Sequence, residues 1–525
     1  MFPSRFYLSR VFIMISGCLI MIGFSCREGF NRNSTHSETP LSSIANGKEL
    51  AAKYCQSCHL LPDPSLLDSK TWEKGILPNM GPRLGIFFYN SQRYPAARGD
   101  MNLGQDFYPS KPVLSLEEWQ NIIDYYTAVS PDSLPAQHRQ HPVQPDQSLF
   151  ALQLPATSYL NSATSFIKVN ANDSLHPLII TDAFTQKTYV YNRGLKVTDS
   201  IANGAIVNMD FLRDSILACD IGVLNPNNGK FGKAQYIHFS NNGKLKADSN
   251  LFKGLQRPVQ VTPADLNNDG RTDYLICEFG FLTGALSWME NLGNNKFTRH
   301  VLRELPGAIK AYVQDYNHDG LPDMFVLFAQ GEEGIFLFTN KGQGEFSQEE
   351  VLRFLPVNGS SYFELNDFDK DGYPDIVYTC GDNADYSPVL KPYHGVYIFM
   401  NDKTNHFKQK YFYPVNGCYK AMARDYDGDG DLDIAVISFF ADYAKQPEEG
   451  FVYLKNNGDL NFMPYTVAAG TLGRWLTMDA GDIDGDGKID LVLGNFSIGP
   501  VMKNSKVDWK KAPQFIVLKN MTTGK

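Results

Sequence analysis

Five segments of the chain repeat one acidic pattern: DLNNDGRTD from Asp265, DYNHDGLPD from Asp315, DFDKDGYPD from Asp367, DYDGDGDLD from Asp425 and DIDGDGKID from Asp482. Each has Asp or Asn at positions 1, 3 and 5, Gly at 6 and Asp at 9, and the starts lie 50, 52, 58 and 57 residues apart. A fixed period of this length demands an array of like units that bury their apolar faces against one another. Position 9 opens short runs rich in β-branched and aromatic residues (DYLICEFG, DMFVLFAQG, DIVYTCGD, DIAVISFF, DLVLGNFS), so each acidic loop joins two strands rather than starting a helix. A third strand recurs as LSWMENLG, IFLFTNKG, VYIFMND, VYLKNNG and FIVLKN. With an outer strand, each unit has the length of a four-stranded propeller blade.

The loops have the chemistry of a hard-cation site. Side-chain oxygens come from Asp265, Asn267, Asp269 and Asp273; Asp315, Asn317, Asp319 and Asp323; Asp367, Asp369, Asp371 and Asp375; Asp425, Asp427, Asp429 and Asp433; and Asp482, Asp484, Asp486 and Asp490. Backbone carbonyls at Arg271, Leu321, Tyr373, Asp431 and Lys488 fill position 7, and Gly permits the sharp turn, a pattern that suits Ca²⁺. A plain turn held by Asx hydrogen bonds is the competing reading, but so many facing carboxylates repel one another without a cation. The units resemble the FG-GAP or VCBS repeat family, the calcium-bearing blades also found in the integrin α head. That resemblance implies a mostly β fold, a seven-bladed propeller over residues 148–525 with up to five Ca²⁺.

Two degenerate units, VNANDSLHPLIITDAF near residue 169 and NMDFLRDSILACDIG near residue 208, keep the strand-turn-strand pattern, lack the carboxylates and bring the count to seven. The final unit ends at its third strand, and SLFALQLPATS at 148–158 reads like an outer strand, so the N-terminal strand should close the ring and remove its exposed edges. Cys219, Cys277, Cys380 and Cys418 fall in different blades and read as buried free thiols.

Ahead of the repeats stands KYCQSCH. Cys55, Cys58 and His59 form C-x-x-C-H, the attachment signature of c-type haem: two thiols to join the porphyrin and an imidazole placed to ligate iron. Zinc would need two more ligands at similar spacing, and a disulfide oxidoreductase would want the motif opening a helix after a strand; neither context is present. Residues 45–54 (ANGKELAAKY) predict a short helix with Asn46 as cap, and residues 115–128 predict a second, opened by the capping box Ser115-x-x-Glu118, with Trp119, Ile122, Ile123 and Tyr126 on one face. Residues 45–130 resemble a small class I cytochrome c, whose first and last helices cross beside one covalently bound haem c. For the sixth iron ligand the preferred candidate is Met80, in an irregular loop with Pro78, Gly81 and Pro82; Met101 is the alternative, and either could be packing filler.

Residues 1–26 read as a lipoprotein-type signal, with Arg5 and Arg10 before an uncharged run and Cys26 preferred over Cys18 as the acylated residue. Residues 27–44 read as a polar tether and 131–147 as a proline-rich linker. Export to the bacterial envelope, lipid-anchored and facing periplasm or cell surface, fits the haem motif, because such haem is attached outside the cytoplasm. With 48 Lys and Arg against 57 Asp and Glu, the net charge of −9 gives no support to a nucleic-acid partner.

Three functions are compatible: a membrane-anchored electron carrier with a redox partner protein and a propeller that binds a partner or glycan; an oxidoreductase with its substrate site on the propeller; and an adhesion or ligand-binding protein. No catalytic constellation is legible, and the adjacent cysteine pair of many quinone-dependent propeller dehydrogenases is missing, so the electron carrier ranks first. Long loops from 381, 440 and 497, with Asp382, Asn383, Asp385, Tyr386, Lys391, Tyr393, His394, Asp442, Tyr443 and Trp509, are expected to form a raised wall for a partner on one face.

Overall fold

Apolar runs separated by acidic turns become seven antiparallel blades in a computed structural model of the chain, which describes residues 30–146, 148–384, 386–500 and 507–523. Blade 1 runs from Thr164–Val169 to Val197–Ala202, blade 2 from Ile206–Phe211 to Leu245–Leu255 and blade 3 from Pro258–Ala264 to Phe297–Arg303. Blade 4 runs from Ala308–Gln314 to Phe346–Arg353, blade 5 from Ser360–Asn366 to Phe407–Pro414 and blade 6 from Cys418–Arg424 to Phe462–Thr466. Blade 7 combines Trp475–Gly481, Asp490–Asn495 and Phe515–Asn520 with Phe150–Gln153, in which Leu152 faces Leu518. The ring therefore closes through its N-terminal strand, as the strand count predicts.

Neighbouring blades stack on both sides of each second strand, which is why those segments read as unbroken apolar runs. Asp323–Phe328, Asp375–Cys380 and Asp433–Ser438 are buried throughout. Between blades 5 and 6, Val377, Val396 and Ile398 pack with Val436, Val452 and Leu454. First strands slip register once against second strands, as at Pro258/Gln260, Ala308/Lys310 and Ser360/Tyr362, and such bulges add the local twist that blades need. Cys219, Cys277, Cys380 and Cys418 are buried free thiols.

Two longer helices precede the propeller: α1 (Leu41–Tyr54) and α2 (Leu116–Val129). The capping box of α2 is formed, with Glu118 N donating to Ser115 Oγ and Ser115 N to the Glu118 carboxylate. The helices meet at Gly47, where a Cβ would stand 1.9 Å from Asn121 O, so only glycine allows this approach. The buried face of α2 is turned toward Tyr125 and Ala128 relative to the predicted one, and Ile123 is only half-buried.

Three boundaries differ from the sequence reading. Helix α1 starts at Leu41 behind Pro40 rather than at an Asn46 cap, because nothing in LSSI breaks it and the extension buries Ile44. Part of the predicted tether is held down: Asn33 Nδ2 donates to Thr127 O at 2.6 Å and Ser130 O at 2.7 Å. The linker is docked as well, since Gln144–Pro145 pairs in parallel with Tyr465 and Thr466 as a fifth strand of blade 6. The outermost position suits Pro145, which has no N–H to give.

Candidate functional site

Each acidic loop is first a set of backbone hydrogen bonds. The position-1 carboxylate accepts the amides of positions 5 and 6: Asp425 from Asp429 N at 3.1 Å and Gly430 N at 3.0 Å, and Asp367 from Asp371 N at 3.0 Å and Gly372 N at 2.9 Å. Position 9 does something different. Asp273, Asp323, Asp375, Asp433 and Asp490 each accept one amide from loop position 2 and one from an asparagine at the end of the third strand, at 2.8 to 3.2 Å. Those asparagines, Asn291, Asn340, Asn401, Asn456 and Asn520, donate their side-chain amides to the carbonyl of position 8. The Asp/Asn pair clasps loop to strand in all five units. The recurring Asn was visible in the third-strand repeats, although its role was not read from them.

The loops differ in the carboxylates they leave for a cation. Oxygens of Asp367, Asp369 and Asp371, of Asp425, Asp427 and Asp433, and of Asp482, Asp484 and Asp490 lie within 4.8 Å of one another in their groups. In blades 3 and 4, position 3 is asparagine, and its amide donates to position 5, Asn267 to Asp269 at 3.0 Å and Asn317 to Asp319 at 2.9 Å. In blades 6 and 7, Lys455 pairs with Asp427 and Lys519 with Asp484 from the third strand. Burial, reinforced by neighbouring loop carboxylates, pushes Asp433 up to about 7 and Asp375 and Asp490 to about 6. Clustered carboxylates that resist ionising together fit a divalent cation. In blade 1 the corresponding turn holds Asp173 against His176 at 2.7 Å, in line with the loss of the acidic pattern there.

On the other side of the propeller lies a cavity of about 910 Å³ that Cys55, Cys58, His59 and Met80 line together. Cys55 and Cys58 sit on the turn that ends α1, both as free thiols, and burial together with the charge of Cys58 pushes Cys55 up to about 11. His59 Nδ1 lies 2.8 Å from Leu60 O. A carbonyl only accepts, so Nδ1 carries a proton, and in the neutral imidazole the lone pair is then on Nε2. Trp72 and Tyr126 wall the cavity and are fixed by hydrogen bonds to Pro64 O at 2.8 Å and Pro62 O at 3.1 Å. Met80 ends a short helix, Leu77–Met80, within a run of helical turns from Ser69 to Leu84 rather than the irregular loop that Pro78, Gly81 and Pro82 suggest. Met101 is 99% exposed and does not line the cavity.

The same cavity is lined by the propeller, through loops between second and third strands of blades 3 to 5 and between successive blades. Several of the side chains expected to stand up as an open wall are instead packed down. Asn383, Lys391, His394, Tyr443 and Trp509 are buried, and Lys391 Nζ donates to Asn383 Oδ1 at 2.6 Å. Tyr393 Oη donates to Leu66 O at 3.1 Å, and the linker's Gln137 Nε2 to His394 O at 2.8 Å. The chain's own N-terminal segment occupies this part of the face and pairs with Tyr393 Oη and His394 O. Asp385 lies outside the described residues. So do Cys18, Cys26 and the signal; among the described residues no helix is long and apolar enough to cross a membrane.

Residues 315–378 and 425–493 match the FG-GAP-like repeat family, and these stretches take in the loops from Asp315, Asp367, Asp425 and Asp482. Among solved structures, the N-terminal domain of Nup159 is similar at 10% identity and a TM-score of 0.40, covering 73% of this chain and 100% of that one. A protein from Lactobacillus plantarum is similar at 12% identity and a TM-score of 0.39, covering 60% of this chain and 87% of that one. Likenesses this slight bear on neither ligand nor activity. The chain is a seven-bladed β-propeller that carries FG-GAP repeats.

Proposed function

We propose that this chain is an exported, lipid-anchored c-type cytochrome that passes single electrons, with a calcium-stabilised propeller as the platform for a redox partner or glycan. The observation that carries the reading is the shared cavity of Cys55, Cys58, His59 and Met80, in which the Nδ1 of His59 is engaged by Leu60 O and its Nε2 has no such bond among the described residues. Haem c, when bound, supplies one-electron exchange at its iron. The chain's residues supply the rest. Cys55 and Cys58 would hold the porphyrin through their thiols, His59 would offer an imidazole nitrogen to the iron, and Met80 would offer a thioether, a ligand type that favours the reduced state. Trp72, Leu77 and Tyr126 keep water away, and the carboxylates of the Asp367, Asp425 and Asp482 loops would hold Ca²⁺, which would offset their mutual repulsion.

One observation favours a second reading, an oxidoreductase with its substrate on the propeller: Glu278, Glu304 and Glu333 of the propeller line the cavity that also holds the haem motif. The two are separated by anaerobic spectroscopy of the purified protein. An electron carrier should be reduced by an external donor and reoxidised by an external acceptor, and should stay oxidised when sugars or alcohols are added alone. Haem reduction by such a compound without added enzyme would overturn the electron-carrier reading in favour of the second.

A further inference from the structure

The cavity has two kinds of wall. One is the segment that carries C-x-x-C-H. The other is the propeller, where Leu282 of blade 3, Leu305 at the entry to blade 4 and Val357 before blade 5 present apolar surface. Leu305 is 39% exposed. The Leu282 loop is tightly folded: Gly280 has φ 63°, and a Cβ on it would stand 1.8 Å from Thr283 O, while one on Gly284 would stand 2.6 Å from Glu278 O. Asn228, itself buried, ties the two walls together. Its Oδ1 accepts Leu282 N at 2.9 Å, and its Nδ2 donates to Asp100 Oδ2 at 2.9 Å, on the chain between α1 and α2.

Charge is distributed unevenly over the propeller wall. The carboxylate of Glu278 is held by Arg299 Nη2 at 2.7 Å and Gln256 N at 2.8 Å, that of Glu332 pairs with Arg303, and that of Glu333 accepts Ser360 Oγ at 2.6 Å. Lys230, Lys253 and Glu304 also line the cavity, are exposed, and have no ion-pair partner among the described residues, so two ammonium groups stand against one free carboxylate. Leu282, Leu305 and Val357 with this excess of positive charge are complementary to a flat apolar ring that carries peripheral carboxylates.

We infer that the haem site is two-sided: blades 3 to 5 cover the ring with Leu282, Leu305 and Val357, and Lys230 and Lys253 take its propionate groups. This rests on the haem reading above and adds that the propeller is a structural part of the redox centre rather than only a platform beside it. Charge at the propeller wall must then be felt at the iron, because a negative charge near a buried haem favours the oxidised state.

The test uses the full-length matured protein and two exposed-residue variants, Leu305→Glu and Lys253→Glu, with Ca²⁺-dependent melting as the check that the propeller is folded. Both should retain covalent haem on denaturing gels and both should show a lower midpoint potential than the parent, with a changed Soret-region circular dichroism. Parent-like potential and dichroism in Lys253→Glu and in every folded Leu305 variant, Leu305→Ala included, would overturn the two-sided site while leaving the haem reading intact. A parent protein with no covalent haem would overturn both, and is scored separately on the parent alone.

Discussion

Asp433→Ala and Asp425→Ala should fail in different ways, although both lie in one acidic loop. Asp433 is fully buried and accepts Tyr453 Oη at 2.6 Å, Asn456 N at 2.8 Å and Tyr426 N at 3.2 Å. Its removal strands three donors, each costing about 1–3 kcal/mol, and relief from burying an acid already pushed up to about 7 returns part of that. A net loss of about 3 kcal/mol follows in chelator, and with calcium the variant forfeits in addition whatever the ion contributes at this loop, because Asp433 is one of the three clustered carboxylates. Asp425 instead accepts the amides of Gly428, Asp429 and Gly430, all in exposed surroundings where water can replace it, so its loss in chelator should be at most about 1 kcal/mol. An extracellular-type site with a Kd of about 0.1 mM contributes about 1.4 kcal/mol at about 1 mM free Ca²⁺, and Asp425→Ala should forfeit that increment for its own blade. Urea unfolding in EDTA and in about 1 mM free Ca²⁺, followed by tryptophan fluorescence, reads all four quantities. If Asp433→Ala in EDTA lies within about 1 kcal/mol of Asp425→Ala, position 9 is not a clasp and the reasoning fails.

Further outcomes follow from the same geometry. Asp433, Asp375 and Asp490 have raised values of about 7, 6 and 6, and Ca²⁺ takes the ionised form, so protonation competes below those values. Calcium affinity should therefore rise from pH 5.5 to about 7.5 and then level off, with proton release on binding near pH 6; calorimetry in buffers of different ionisation enthalpy measures both, and a flat profile contradicts it. Met80→Ala should turn the haem partly high-spin and lower its potential, whereas Met101→Ala, at a fully exposed site, should leave the absorption spectrum unchanged. Phe150 is buried on the closing strand beside Tyr426, Phe451 and Tyr453, so Phe150→Ala should cost about 3–5 kcal/mol in urea unfolding; a loss under about 1 kcal/mol would mean that the strand does not hold the ring shut.

Most of the propeller could be read from the chain because its determinants are local and repeated. Period 2 alternation gives way to unbroken apolar runs at second strands, the loops recur at blade spacing, and a missing fourth strand at one end matches a surplus strand at the other. Blades 1 and 2 were legible only as strand-turn-strand units, since one hydrogen-bonded turn, such as that of Asp173 and His176, replaces the carboxylates. Contacts between distant parts of the chain left no such trace. Tyr393 with Leu66, Gln137 with His394, and Asn228 with Asp100 are single hydrogen bonds between segments of ordinary polar composition. Nothing in the loops from 381 and 440 distinguishes a side chain awaiting a partner from one already covered by the same chain. The preference for Met80 over Met101 rested on loop character, against the more conventional spacing of Met101, and Met80 lines the cavity from a helical turn rather than from such a loop.

The central claim, that Cys55, Cys58 and His59 hold a covalent haem, is tested most directly by the intact mass of the chain after expression with a c-type maturation system and acid-acetone extraction. The account predicts one haem mass retained on the extracted parent chain and none on a Cys55→Ala, Cys58→Ala double variant. A parent chain that emerges colourless, at the mass of the polypeptide alone, would contradict it.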